Sequence, residues 1–152
     1  MIRSLLTGAI GAFGGTLAYT FLLNAPRKTL LPASLTGVAG YVLYLLLDGL
    51  GCSMIFSYFL ATAAVSALCE IEARVMRMPS TIFLLSALVP LVPGYTFYSA
   101  MLALVENNGM LAASEGLKAV QIVASIAVGA AVTSGCFRAL SRRRRAYGTP
   151  RR

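Results

Sequence analysis

Residues 78–105 read MPSTIFLLSALVPLVPGYTFYSAMLALV, a stretch of 28 residues without a charged side chain. Four other uncharged runs surround it, at residues 4–26, 29–47, 49–69 and 119–137. A helix of about 20 apolar residues spans a bilayer, because each residue adds about 1.5 Å and the hydrocarbon is about 30 Å thick. Five such runs fill most of the 152-residue chain. The sequence therefore predicts an all-α, polytopic membrane protein with five transmembrane helices.

The overall composition agrees with this fold class. Hydrophobic residues make up 58% of the chain and charged residues only 12%, whereas a soluble domain carries about 25% charged residues. So little charge cannot cover the surface of a water-soluble globule of this size. We expect one transmembrane domain over residues 1–140, followed by a basic tail over residues 141–152.

Several classes of enzyme are excluded by missing residues. The chain has no histidine, so it lacks Ser-His-Asp and Cys-His triads, HExxH zinc sites and a histidine general base. It also lacks the GxxxxGK[ST] loop that binds ATP. Its three cysteines have no CxxC spacing, which argues against a metal site. We therefore expect no catalytic residue, no metal and no cofactor, and an enzyme is the weaker interpretation.

The acidic side chains stand outside the apolar runs. Each of the five lies at or beyond the end of a run: Asp48, Glu70, Glu72, Glu106 and Glu115. Pumps and transporters often carry proton-relay carboxylates within their spans. The sequence predicts no relay of that kind in this chain.

Basic residues set the expected orientation, because cytoplasmic loops carry an excess of lysine and arginine. With five spans, an outside N-terminus and a cytoplasmic C-terminus, eleven basic residues lie inside and two outside. The arginine run at residues 142–145 follows the last span directly. Such a cluster fixes orientation and attracts anionic lipid. Nucleic acid is the weaker alternative, since no aromatic platform accompanies the run.

Small residues predict close helix packing in two spans. The first span contains the GxxxG pair Gly11 and Gly15, and the fifth contains Ser125, Gly129 and Thr133 at every fourth position. Small residues let helix backbones approach closely in lipid. The pattern leaves open whether the partner helix belongs to this chain or to a second copy in a homo-oligomer.

The run at residues 78–105 should be interrupted near its middle. A continuous helix of this length would measure about 42 Å, longer than the hydrocarbon is thick. Pro90 and Pro93 each lack an N–H and would free the carbonyls of Ser86 and Val89, and Gly94 lets the chain turn.

Irregular backbone at membrane depth is tolerated only inside protein or beside an aqueous cavity, and transporters bind solutes at such breaks. The second half would begin with a hydroxyl-rich turn suited to a small polar solute, which contains Tyr95, Thr96, Tyr98 and Ser99. The alternative is a proline kink that only shapes packing.

The segment Pro90-Leu-Val-Pro93-Gly94, followed by Tyr98, resembles the PxxPG segment of the threonine/serine exporter family. The best match is the small, YjjB-like subunit, equivalent to the C-terminal membrane half of single-chain members. Upstream, Asn24-Ala25-Pro26-Arg27 resembles the N-x-P-x motif that closes the first span in that family.

The resemblance implies secondary export of small polar metabolites such as serine, threonine or related short carboxylates. It also implies a larger partner subunit that supplies further spans and the groups for proton coupling. The candidate pathway residues are Pro90, Pro93, Gly94, Thr96, Tyr98, Ser99 and Asn24. A membrane scaffold that transports nothing is the alternative, and a sealed apolar bundle would favour it.

Overall fold

The structure, a computed structural model, describes residues 2–147, with side chains described for residues 6–139. This part of the chain consists of helices and turns, without a β-strand. The elements in chain order are α1 (Ile2–Leu22), α2 (Arg27–Gly49), α3 (Met54–Met76), α4 (Ser80–Ala87), a 3₁₀ turn (Val89–Leu91), α5 (Gly94–Val105) and α6 (Gly109–Tyr147). The all-α prediction is confirmed. Helix α6 continues into the predicted basic tail, of which residues 148–152 lie outside the described residues.

Three non-glycine residues in the described part adopt a left-handed backbone conformation, and each follows the end of a helix. Asn24 (φ 52°) follows α1, Arg77 (φ 54°) follows α3 and Asn107 (φ 58°) follows α5. After α3, the Met78 N–H donates to the Ala73 carbonyl at 2.9 Å. This bond satisfies a carbonyl that the helix end would otherwise leave free. The helices are therefore joined by tight turns.

The described helices include three that are long and apolar enough to cross a membrane, namely α2, α3 and residues Gly109–Ala139 of α6. The pair formed by residues Ser80–Leu91 and Gly94–Val105 passes the same test together but is bent by 53°. In α1 the apolar part, Leu6–Leu22, is shorter than the other candidates. The protein is thus a multi-pass membrane protein with three candidate spans, or four if the bent pair is one span. Five spans require α1 to cross as well.

Helix α3 lies at the centre of the bundle, where it contacts α2, α4 and α6, while α1 packs on α2 and α5 packs on α6. Glycines in α2 permit two of these contacts. A Cβ atom on Gly40 would collide with the Val65 side chain, and one on Gly37 would lie 2.5 Å from Thr16 Oγ1. Small residues allow such close approach between membrane helices. The main core cluster is Ala33, Ala61, Val65, Cys69, Ala73, Phe83, Ala87 and Leu91.

Helices α3 and α6 run in the same direction. Gly129 packs against the backbone carbonyl of Phe59, and farther along both helices the Arg74 guanidinium lies 4.7 Å from the centre of the Phe137 ring. The chain leaves α3 at its last residue and enters α6 at the opposite end of the bundle. The segment made of α4, the 3₁₀ turn and α5 therefore carries the chain back along the length of α3.

Basic residues of three helices, namely Arg27, Arg74 and Arg138, lie towards one end of the bundle. Thr36 of α2 donates a hydrogen bond to Glu72, one turn before the end of α3, so α2 begins near the place where α3 ends. Arg27 at the start of α2 thus lies towards the same end as Arg74. Arg138 follows Phe137, the ring that Arg74 covers.

Candidate functional site

The apolar segment that begins at Ser80 is interrupted between Ala87 and Gly94 by the 3₁₀ turn. In this turn the Leu91 N–H donates to the Leu88 carbonyl at 2.9 Å, and the Val92 N–H donates to the Val89 carbonyl at 3.3 Å. The sequence prediction that the Val89 carbonyl is left free is therefore wrong, because the shorter hydrogen bonds of a 3₁₀ turn use it. The prolines change the pattern of hydrogen bonds rather than abolishing it.

Helix α5 begins directly after the turn. The Gly94 N–H donates to the Val92 carbonyl at 2.8 Å, and the Phe97 N–H donates to the Pro93 carbonyl at 3.1 Å. Between them, the amides of residues 95 and 96 have no acceptor within the described residues. Free amides at a helix N-terminus attract negative charge, such as that of a carboxylate.

The hydroxyl-rich turn of α5 divides into two faces. Tyr95 and Tyr98 point away from the bundle and are 82% and 64% exposed, whereas Thr96 and Ser99 are half-buried. Each pair is three residues apart, which places its members on one side of the helix. Thr96 and Ser99 are therefore the hydroxyls of this turn that the bundle partly encloses, and the two tyrosines are available to lipid or to another protein chain.

A crevice of about 230 Å³ lies between α1 and the break. Its lining residues are Gly8, Gly11, Ala12, Gly15, Tyr41, Val89 and Pro90. Glycine makes this space possible, because a Cβ atom on Gly11 or Gly15 would meet nothing within 4 Å. The structure thus brings the predicted GxxxG pair next to Pro90. Within the described residues the pair lines a crevice, and the space beside both Cβ positions is open. A second copy as its partner stays a prediction.

Tyr41 connects this crevice to the centre of the bundle. A Cβ atom on Gly8 would lie 2.5 Å from the Tyr41 ring, which shows how closely the ring covers α1. The ring centres of Tyr41 and Tyr44 are 6.5 Å apart, and those of Tyr44 and Tyr58 are 4.4 Å apart. Tyr41 is not among the pathway residues that the sequence predicts. The available signal was a pair of tyrosines three residues apart in an otherwise apolar span.

The other predicted residues lie in different surroundings. Pro93 is buried, and Gly94 is exposed with open space beside it. Asn24 is exposed in the turn after α1, nine residues beyond Gly15, so the structure does not bring it to the crevice. Gly129 lies at the contact of α6 with α3, where a Cβ atom would be 2.8 Å from the Phe59 carbonyl oxygen.

One further polar contact was missed by sequence reasoning. Glu72 is half-buried and accepts a hydrogen bond from Thr36 of α2, although the sequence placed it beyond the end of the third apolar run. It lies inside α3 because that helix continues to Met76. No group of three or more potential metal ligands occurs among the described residues.

Comparison of the chain with known proteins identifies its family. Residues 8–135 match the family model described as "Threonine/Serine exporter, ThrE". An uncharacterized protein of Haemophilus influenzae is 28% identical over 107 residues, which are 70% of this chain and 34% of that protein. The match thus spans about a third of the length of this relative. No solved structure matches the chain.

Proposed function

Because the chain belongs to the threonine/serine exporter family, we propose that it is one membrane subunit of a two-component secondary exporter. Its substrates are small polar metabolites such as threonine, serine or related short carboxylates. The observation that carries this proposal is the crevice where the glycines of α1 face Pro90. A break in a membrane helix beside a cavity is the usual setting for the substrate site of a secondary transporter.

The chemistry of the break suits an amino acid or a short carboxylic acid. The free amides at residues 95 and 96 lie beyond the break on α5, which packs on α6, and they are not among the residues that line the crevice. They would form a second position along the pathway that receives the carboxylate of the solute, since a helix N-terminus favours negative charge. The half-buried hydroxyls of Thr96 and Ser99 would accept or donate hydrogen bonds to its polar groups. The crevice, at about 230 Å³, is smaller than the roughly 300–1,000 Å³ of sites for drug-sized ligands, which agrees with a small solute.

We propose five spans: α1, α2, α3, the bent pair of α4 and α5, and α6. The parallel packing of α3 and α6 supports a bent pair that crosses the membrane, because a re-entrant loop would return the chain to the side it left. The grouping of Arg27, Arg74 and Arg138 towards one end of the bundle supports a cytoplasmic location for that end. In this arrangement the N-terminus is outside and the C-terminus is in the cytoplasm.

The proposal includes a larger partner from the same family. The relative from Haemophilus influenzae carries about two thirds of its length outside the match, so this chain corresponds to only part of a larger unit there. The partner would supply further spans, and the exposed tyrosines of α5 offer it a surface. We further propose that anionic lipid, not nucleic acid, binds the basic tail at residues 141–152, since clustered arginines beside a span attract it.

The test is efflux of threonine, serine and short carboxylic acids from membrane vesicles. Vesicles with this chain and the larger subunit should release a preloaded solute faster than vesicles with either protein alone. Equal amounts of inserted protein must be compared. Efflux by this chain alone would refute the need for a partner, and no efflux from the pair would favour the scaffold alternative.

A further inference from the structure

Buried polar side-chain atoms without a hydrogen-bond partner are concentrated on one helix. In the described part of the chain there are four such atoms, and all of them belong to α3: Ser57 Oγ, Thr62 Oγ1, Ser66 Oγ and Glu72 Oε2. Most buried hydroxyls on the other helices are bonded to their own backbone, as in Thr16 to Ala12 at 2.7 Å. An unpartnered buried polar atom is rare in native structures, so a set confined to the central helix requires a reason.

Glu72 is the titratable member of this set. Its Oε1 accepts the hydrogen bond from Thr36, while its Oε2 is buried without a partner. Two other glutamates of the chain have basic partners: Glu70 lies 3.3 Å from Arg74, and Glu115 lies 2.6 Å from its lysine. Glu72 therefore differs from them in its position between two helices and in having a hydroxyl rather than a cation beside it.

Arg74 is the basic residue that helix α3 carries close to Glu72 in the sequence. The Cys69 thiol, one turn earlier, is buried and neutral at ordinary pH. Glu70 and Arg74 form an ion pair with each other, and Arg74 also covers the Phe137 ring.

The helices packed against α3 are also poor in charge near this position. Helix α2 contributes the Thr36 hydroxyl, and its basic residues Arg27 and Lys28 are exposed two turns or more away. Helix α4 contains no ionisable residue. On α6 the nearest charged residue is Arg138, which is exposed.

Burial of Oε2 without a donor favours the neutral form of this carboxyl group. An ionised carboxylate out of water needs several donors or a cation, and Glu72 has one hydroxyl. If α2 and α3 separated, water would reach both oxygens and would favour the charged form. Such a separation would link the protonation state of Glu72 to the α2–α3 contact.

We propose that Glu72 is a proton-binding residue of the transport cycle, protonated while α2 and α3 are packed together and ionised when they open. This inference rests on the proposed transport function. In the opening step the O–H bond of the carboxyl group breaks and its proton passes to water, which leaves the carboxylate. The reverse transfer restores the neutral acid when the helices close. A titratable residue within a membrane helix is a candidate for such a role.

The first experiment does not depend on transport. The chain and its partner in vesicles are treated with dicyclohexylcarbodiimide, an apolar reagent that adds to protonated carboxyl groups, and the modified peptides are identified by mass spectrometry. Glu72 should be modified, and its modification should fall as pH rises. Glu70, two residues earlier and paired with Arg74, is the matched control and should react far less. Equal reaction of both glutamates, reaction of neither, or no dependence on pH would overturn the proposal.

Substitutions of Thr36 and Glu72 test the role of each side chain separately. Thr36→Val removes the hydroxyl that favours the ionised form, so modification of Glu72 should persist to higher pH than in the native protein. Glu72→Gln keeps the shape of a neutral carboxyl and should preserve insertion into the membrane. It should lose the acceleration of net efflux by a proton gradient, whereas Glu70→Gln should keep it. Gradient-driven efflux by Glu72→Gln at the native rate would refute the coupling role. If the native pair moves no solute at all, the proposed transport function fails while the carbodiimide result still stands.

Discussion

Filling the crevice beside the helix break should stop transport without destabilising the protein. Gly11 lines the crevice and Gly14 does not, yet a Cβ atom on either would meet nothing within 4 Å. Gly11→Leu and Gly14→Leu are therefore matched substitutions on one helix. Each should gain up to about 1 kcal/mol of helix stability, because glycine is a poor helix former. Only the first introduces atoms into the proposed site.

The expected size of the effect follows from volume. At about 30 Å³ for each non-hydrogen atom, the share of one molecule in liquid water, the four side-chain carbons of leucine take roughly 120 Å³. This is about half of the 230 Å³ crevice. Threonine has eight non-hydrogen atoms and needs roughly 240 Å³ on the same scale. The volume of the crevice, about 230 Å³, is thus close to that of one such solute before the substitution. The roughly 110 Å³ that remain after it are less than half of that volume.

The assay is efflux of preloaded threonine or serine from vesicles with the partner subunit, divided by the amount of inserted protein. Gly11→Leu should reduce efflux to the level of vesicles without the exporter, and Gly14→Leu should leave it close to native. Native efflux from Gly11→Leu would refute the assignment of this crevice to the solute. Equal loss in both variants would show that α1 tolerates no large residue, and the crevice would then have no special role.

Three further predictions address packing, the break and the orientation. The Gly129→Ala protein should be less stable than the matched Gly135→Ala protein by about 1–3 kcal/mol, because a Cβ atom at residue 129 would lie 2.8 Å from a backbone oxygen and one at residue 135 would meet nothing within 4 Å. Denaturant titrations in detergent measure this difference in the free energy of unfolding. Equal stability would contradict the packing at Gly129. Pro90→Ala combined with Pro93→Ala should restore a regular helix and abolish efflux while insertion is retained, and near-native efflux would reduce the break to an ordinary kink. Reporter fusions after residues 109 and 147 should lie on opposite sides of the membrane, and a shared side would exclude the five-span arrangement.

Several features of the fold could be predicted from the sequence because they depend on residues close together in the chain. The apolar runs predict membrane helices because a bilayer leaves few alternatives for an uncharged segment of about 20 residues. The interruption between Ala87 and Gly94 follows from Pro90 and Pro93, since a proline removes a backbone donor wherever it stands. The ion pair of Glu70 with Arg74 likewise joins two residues at an i, i+4 spacing on one helix. Each of these features depends on residues within one continuous segment of the chain.

The site itself was decided by tertiary structure. The Gly11 and Gly15 pair could equally have faced another helix, and only the position of α1 turns it towards Pro90, far along the chain. The hydrogen bond from Thr36 to Glu72 joins residues 36 positions apart. Its existence depends on the rotation and axial register of α2 against α3, which are set by the close approach at Gly40 and Val65. Sequence periodicity shows which residues share a face of one helix. A contact between two helices also depends on the axial register of their two faces, and that register is determined by packing.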